Sequence, residues 1–201
     1  IDAAIPTWST LGLTSGSETY SAATPVGEIS NYSQALYLGC GLLRTSLTWT
    51  TAGGRATDLV YDIIADRADP RVGVVHLTMV PHWNGPATVT DLIDGAGARR
   101  LVQTGGGAVA GSVASIEVDF ATQTLGTAGT VASTLNVDSS VKTTKRDVSA
   151  TAQNLTAKDA VTFSAKSGTS YQFTKVVGVD TALTSGAPEA SAVAKPIWPK
   201  Q

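Results

Sequence analysis

The side chains of this 201-residue sequence that could do chemistry are few and scattered. It holds two histidines and one cysteine. His76 and His82 are separated by five residues across the end of an apolar run, with Cys40 far away in sequence. A structural zinc takes four nitrogen or sulfur ligands and a catalytic zinc three, so this set is too poor, and no metal or cofactor is expected. His76 reads instead as a hydrogen-bonded, partly buried imidazole. Cys40 lies between Gly39 and Gly41 and reads as a small filler or a loop thiol; a single cysteine forms no intrachain disulfide. Ser, His and Asp all occur, but without a G-x-S-x-G elbow. The run TGGGAVAG lacks the Lys-Ser/Thr ending of a phosphate loop and leads into no helical pattern.

Carboxylates and aromatics remain. Asp58 and Asp62 share one face of a strand pattern, and Asp91 and Asp94 flank a hairpin. Two carboxyl groups about 5 to 10 Å apart hydrolyse glycosidic bonds. Exposed strand carboxylates are, however, ordinarily solvated charges that discourage edge pairing, and no catalytic residue is assigned to them. Trp83 stands in the turn PHWNGP beside His82 and Asn84. A turn tryptophan can dock into a neighbouring domain, cap its own sheet or stack on a sugar ring. The first two readings are preferred, with stacking as the minority case. Trp8 and Trp49 fit core strand positions.

The elements that must carry these residues show a period of two. In LLRTSLTWT, Leu43, Leu47 and Trp49 alternate with Arg44, Ser46, Thr48 and Thr50, the pattern of a half-buried strand. Ala52-Gly53-Gly54 then turns the chain, and RATDLVYDIIAD returns. A turn over Asp66–Pro70 follows. VGVVHLTMV is apolar on both faces in part, as in a strand covered on two sides. After Pro81–Pro86, ATVTDLID forms another strand, closed by a Gly-rich tip at Asp94–Ala98, and RRLVQT begins the next. Gly105–Gly111 has too many glycines for a stable element and is expected to be a loop. ASIEVDFA, TVASTLNV, SVKTTKRDVSA, AVTFSA and YQFTKVVGVDT are the later strand candidates. Strands every 10 to 15 residues or so, with turn signals between them, favour an all-β antiparallel sandwich. Ser185-Gly186-Ala187-Pro188-Glu189 resembles a helix start, with Pro196 stopping it.

Composition excludes several classes. Charged residues make up 15% and the formal net charge is -2, so no nucleic-acid partner is expected. No run of about 18 apolar residues forms a membrane span. The sequence begins with Ile rather than Met, and a processed product or a piece of a longer protein is expected. Low charge with abundant Ser, Thr, Gly and Ala points to a secreted surface. Two sequons, Asn31-Tyr32-Ser33 and Asn154-Leu155-Thr156, are possible glycosylation sites in a glycosylating secretory pathway.

IPTWSTL (Ile5–Leu11), the block LRTSLTWTTAGGRATDLVYDIIADRADPRVGVVHLTMVPHWNGPATVTDLIDGAGARRL and the later strands together resemble the N-terminal β-sandwich domain of glycoside hydrolase family 65, in its acid-trehalase-like branch. The resemblance runs from about Ile5 to about Ala194. It implies a two-sheet antiparallel supersandwich over residues 1–184, with the start of a linker helix and a tail over 185–201. It also implies a following (α/α)6 barrel that carries the catalytic Glu residues and acts on α-glucosides such as trehalose by hydrolysis or phosphorolysis. An Asn-Gly-Tyr segment typical of the family's beginning is absent, and so is the barrel, so no catalytic residue of the family maps onto this sequence. The hairpins are therefore expected to be scaffold. His82, Trp83, Asp94, Arg99 and Arg100 are candidates for a barrel-facing or substrate-binding surface. The alternative is a carbohydrate-binding or adhesion sandwich with its own groove. A homodimer through a sheet edge is a further possibility.

Overall fold

A computed structural model describes residues 3–112 and 114–185. Thirteen strands follow one another: β1 (Thr7–Ser15), β2 (Glu18–Tyr20), β3 (Ile29–Tyr37), β4 (Leu42–Thr50), β5 (Ala56–Ala65), β6 (Val72–Pro81), β7 (Gly85–Asp94), β8 (Leu101–Ala108), β9 (Ser115–Thr122), β10 (Ala128–Val137), β11 (Thr143–Val148), β12 (Ala157–Ala165) and β13 (Tyr171–Thr181). They form an eight-stranded sheet in the order β3-β4-β5-β6-β13-β10-β9-β8 and a five-stranded sheet in the order β11-β12-β7-β1-β2. Every strand pair is antiparallel. The architecture is the all-β two-sheet sandwich that the alternation implied.

The inward sides of the alternating strands meet between the sheets. Trp49, Leu59, Leu77 and Phe173 of the large sheet face Leu13, Val89, Val161 and Phe163 of the small one in a single buried cluster. A second cluster joins Ile93, Leu101, Ile116, Val118, Phe120, Val131 and Val177. Each such side chain, fully buried, contributes about 1.5–3 kcal/mol. Trp8 is half-buried and packs against both clusters. Gly73 makes room for its indole, since a Cβ there would lie 2.6 Å from Trp8 Cη2. Polar tips are satisfied where the core meets the rim. Trp49 Nε1 donates to Glu28 at 3.2 Å and the Tyr61 hydroxyl donates to the Leu11 carbonyl at 3.0 Å. Glu18 accepts from the Ala52 amide at 2.7 Å, holding the β4–β5 turn.

Two segments depart from the sequence reading. Gly105–Gly107, expected in a loop, lie within β8. The glycines are there because backbone approaches closely on both sides: a Cβ on Gly106 would lie 2.9 Å from Val118 Cα, and one on Gly107 2.6 Å from Thr151 Cα. Both also hold positive φ, +114° and +133°, where glycine is favoured. β3 carries no alternation to read because it is an edge strand whose side chains are mostly exposed. It is also bulged between Ser30 and Ser33, where Asn31 takes φ +52°. At the other end of the chain, a single helical turn spans Ala182–Ser185. The expected linker helix from Gly186 onward, with Trp198, lies outside the described residues.

Candidate functional site

The five candidate surface residues fall into two groups at opposite ends of the sandwich. His82 and Trp83 lie in the turn from β6 to β7, whereas Asp94, Arg99 and Arg100 belong to the connection from β7 to β8. The ten residues of β7 separate the groups by about 30 Å, at roughly 3.3 Å per residue. They do not converge on one site.

Each residue has a local structural task. The His82 backbone amide donates to the Ala56 carbonyl at 2.9 Å, and its Nε2 lies 2.8 Å from Asp58 Oδ2. Thr48 donates to the other Asp58 oxygen at 2.7 Å. That hydroxyl and the imidazole hold the Asp58 carboxyl below the usual carboxylate range. Trp83 is only 8% exposed. Its Nε1 donates to Thr57 Oγ1 at 2.9 Å, and the Arg55 guanidinium sits 5.3 Å above the ring. The indole therefore caps its own sheet and offers no open face for a sugar, contrary to the exposed ring that a stacking role requires. Asp94 accepts from the Ala96 amide at 2.8 Å, which closes its own turn. Arg99 pairs backbone to backbone with Ala4, and Arg100 stands at φ +61°.

The four carboxylates weighed as acid–base pairs are separated by the pleat or already paired. Asp91 is fully buried between the sheets while Asp94, three residues on, faces outward. Asp62 takes a two-point contact from Arg44, Nε to Oδ1 and Nη2 to Oδ2, both at 2.7 Å. His76 lies next to Asp62 in register. Its Nδ1 is 2.9 Å from Thr174 Oγ1, and burial lowers its pKa.

Asp91 belongs to a buried ionic group that the sequence reading missed. It stands directly opposite Asp159 across the β7–β12 pair. Lys175 of β13 brings its ammonium within 2.7 Å of Asp91 Oδ1, and donates to the carbonyls of Thr10 at 3.0 Å and Leu92 at 2.8 Å. The contact with Oδ1 is an ion pair. Ser133 of β10 donates to the other Asp91 oxygen. Arg146 of β11 forks onto Asp159, with Nε 2.9 Å from Oδ1, and also donates to the Leu135 carbonyl at 3.0 Å. Asp91, Asp159 and Lys175 are each 0% exposed. Burial pushes the Asp159 carboxyl up, Arg146 opposes this, and Asp91 adds to it. Burial pulls the Lys175 ammonium down, against Asp91. The four formal charges cancel and the group ties both sheets together. The signal was available in the sequence, because Lys175 continues the inward series Tyr171, Phe173 and precedes Val177.

A groove of about 880 Å³ runs over the small sheet, with Thr10, Gly12, Thr88 and Thr90 as its floor and Tyr20 and Tyr61 at one wall. Its charged rim residues, Asp94 and Lys158, both stand at one end of the strands. Among the described residues, no group of three or more His, Cys, Asp or Glu side chains is placed to hold a metal ion. Among the described residues, no helix is long and apolar enough to cross a membrane.

Fold and site together define a two-sheet antiparallel β-sandwich domain, stapled internally by a compensated ionic cluster. The profile of glycosyl hydrolase family 65, N-terminal domain, matches residues 3–198, and the chain belongs to that family. It is 30% identical over 98 residues to an acid trehalase of Emericella nidulans, which covers 48% of this chain and 9% of that protein. It is 31% identical over 105 residues to a cell wall acid trehalase of Arthroderma benhamiae, covering 51% of this chain and 10% of that protein. The chain thus matches about a tenth of the length of these relatives. A solved structure assigned as a kojibiose phosphorylase from the human microbiome superposes with a TM-score of 0.74 over 89% of this chain and 23% of its own, at 11% identity. That likeness concerns the fold.

Proposed function

We propose that this chain is the non-catalytic N-terminal sandwich of a secreted α-glucoside hydrolase of the acid-trehalase type. In this reading the remainder of the enzyme supplies an (α/α)6 barrel with the catalytic acid and base, and the sandwich packs against it. The observation that carries the reading is the family match over nearly the whole chain, in a fold whose candidate carboxylates are occupied by structural partners. Secretion is supported by the low charge and by the cell-wall relative. Hydrolysis is preferred over phosphorolysis because both sequence relatives are trehalases.

The two groups of candidate residues cannot both face one flat partner end-on. We place the barrel contact at the end that carries Asp94, Arg99 and Arg100, where β13 delivers the chain to Leu183. The test is to express the polypeptide that continues this chain together with it, and to assay glucose release from α,α-trehalose, kojibiose and maltose with and without phosphate. Phosphate-independent release from trehalose is expected; inactivity on every α-glucoside would remove the reading.

A further inference from the structure

The buried ionic group holds an amine, a carboxyl and a second carboxyl in the arrangement that amide formation needs. Lys175 stands on β13 of the large sheet and Asp91 on β7 of the small one. Their Nζ and Oδ1 atoms lie 2.7 Å apart, and both side chains are fully buried. Two of the three Nζ donor positions are used by the carbonyls of Thr10 and Leu92, and the third is left for Asp91. Ser133 donates to Oδ2 and holds the carboxyl in place.

In water at neutral pH a lysine and an aspartate do not condense, because both are charged, rarely in contact and surrounded by the water that reverses the step. Burial changes each of these conditions. A desolvated ammonium–carboxylate pair lies closer to its neutral amine–acid form, since the charged form loses its hydration, and burial pulls the Lys175 ammonium down in this sense. Groups held at contact react as one molecule, an advantage equivalent to effective molarities of about 10⁵–10⁸ M. A closed core also excludes water. What remains to be supplied is a proton carrier. Asp159 faces Asp91 directly in the β7–β12 register, which sets the two Cβ atoms about 5 Å apart. Arg146 holds it through Nε and Nη2, and each carboxylate oxygen keeps a further lone pair for a proton.

We propose that Lys175 and Asp91 condense after folding to an amide that cross-links the two sheets, with Asp159 as the proton carrier. One proton passes from the ammonium to Asp91 Oδ1. The Nζ lone pair then bonds to Cγ, and the C=O electron pair moves onto Oδ2, where the Ser133 hydroxyl donates to it. Asp159 takes a second proton from the nitrogen and delivers it to Oδ1. The Cγ–Oδ1 bond breaks with its electron pair, water leaves, and Oδ2 becomes the amide carbonyl. The third proton stays on the nitrogen. No oxidant, metal or added reagent takes part. The ion pair is the reactant, so freshly refolded chain carries the ion pair and the amide accumulates as the folded chain ages. The proposal does not depend on the glycosidase reading.

The experiment is intact-mass spectrometry of the full chain, freshly refolded and then through weeks of incubation at neutral pH, followed by tryptic mapping. A species lighter by one water is expected to accumulate. Its map should contain a branched peptide that joins residues 72–99, between the cleavage sites at Arg71 and Arg99, to the segment that follows Lys166, with cleavage at Lys175 lost. Chain kept unfolded in urea for the same period should form no such peptide. Lys175→Arg, which keeps the cation, should abolish it. Asp159→Asn with native circular dichroism should slow its formation by about 10²-fold or more. A folded chain that keeps its full mass throughout would overturn the proposal. So would a loss of water that maps to a cyclic imide at Asp94-Gly95, or a branched peptide that Asp159→Asn forms as fast as the parent.

Discussion

Replacing Lys175 by Met tests the buried ionic group. The change keeps an unbranched side chain of similar length but deletes the ammonium. Asp91 then remains 0% exposed and opposite Asp159 with no cation of its own, and the carbonyls of Thr10 and Leu92 lose a donor. Breaking a buried pair by removing one partner costs about 3–5 kcal/mol, and an orphaned acceptor about 1–3 kcal/mol. The carbonyl terms overlap with the relaxation already contained in the first figure, so the expected loss is about 4 kcal/mol. That is a large part of the roughly 5–15 kcal/mol that holds a domain together. The assay is urea unfolding followed by tryptophan fluorescence and circular dichroism, with the midpoint falling and the slope unchanged. Lys175→Met combined with Asp91→Leu and Ser133→Ala removes the side-chain groups left without a partner at this point, leaving only the Thr10 and Leu92 carbonyls short of a donor. It should lie within about 2 kcal/mol of the parent, because apolar replacement of a whole buried pair is often neutral. A single variant within about 1 kcal/mol of the parent, or a triple variant worse than the single, would refute the reasoning.

Three other perturbations have defined outcomes. Burial raises the Asp159 carboxyl, so the folded chain takes up a proton at this site before the unfolded chain does. The cost of keeping it ionised is present above the folded value and is relieved as pH falls through that value toward 3.8. Unfolding midpoints between pH 7 and pH 4 should therefore favour the parent progressively over Asp159→Asn, relative to their difference at pH 7; the opposite slope would contradict the assigned cause. Gly107→Ala should cost at least about 2 kcal/mol by denaturant unfolding, since its Cβ meets the Thr151 backbone at positive φ. Gly27→Ala, with open space around it and an ordinary φ, should stay within about 0.5 kcal/mol of the parent. His82→Ala removes one exposed partner of Asp58 and should change stability by no more than about 1 kcal/mol by the same measurement.

Much of the sandwich was legible because burial on one face writes a period of two into a strand. LLRTSLTWT, RATDLVYDIIAD and ATVTDLID carry it, and β4, β5 and β7 lie where they do. β3 was not legible, since an edge strand with both faces largely exposed has no alternation to show. Gly105–Gly107 read as a loop because sequence reveals the freedom of a glycine but not the backbone pressed against it. The same limit applied to the site. Two consecutive turns, such as those holding His82 and Asp94, look like neighbours along the sequence, yet a strand places them at opposite ends. Trp83 looked exposed because turn position says nothing about which way an indole folds; Thr57 and Arg55 decide that here. Lys175 was visible as a charge at an inward position of its strand, whereas Asp159 falls just before the strand candidate AVTFSA, and their partners come from other strands and from both sheets.

The most direct test of the scaffold assignment is to incubate the purified, folded chain by itself with α,α-trehalose, with and without phosphate, and to measure free glucose and glucose phosphate over days at pH 4 to 7. No product above the buffer blank is predicted, since the bond-breaking groups are assigned to polypeptide outside this sandwich. Sustained turnover that scales with chain concentration and survives repurification would contradict it.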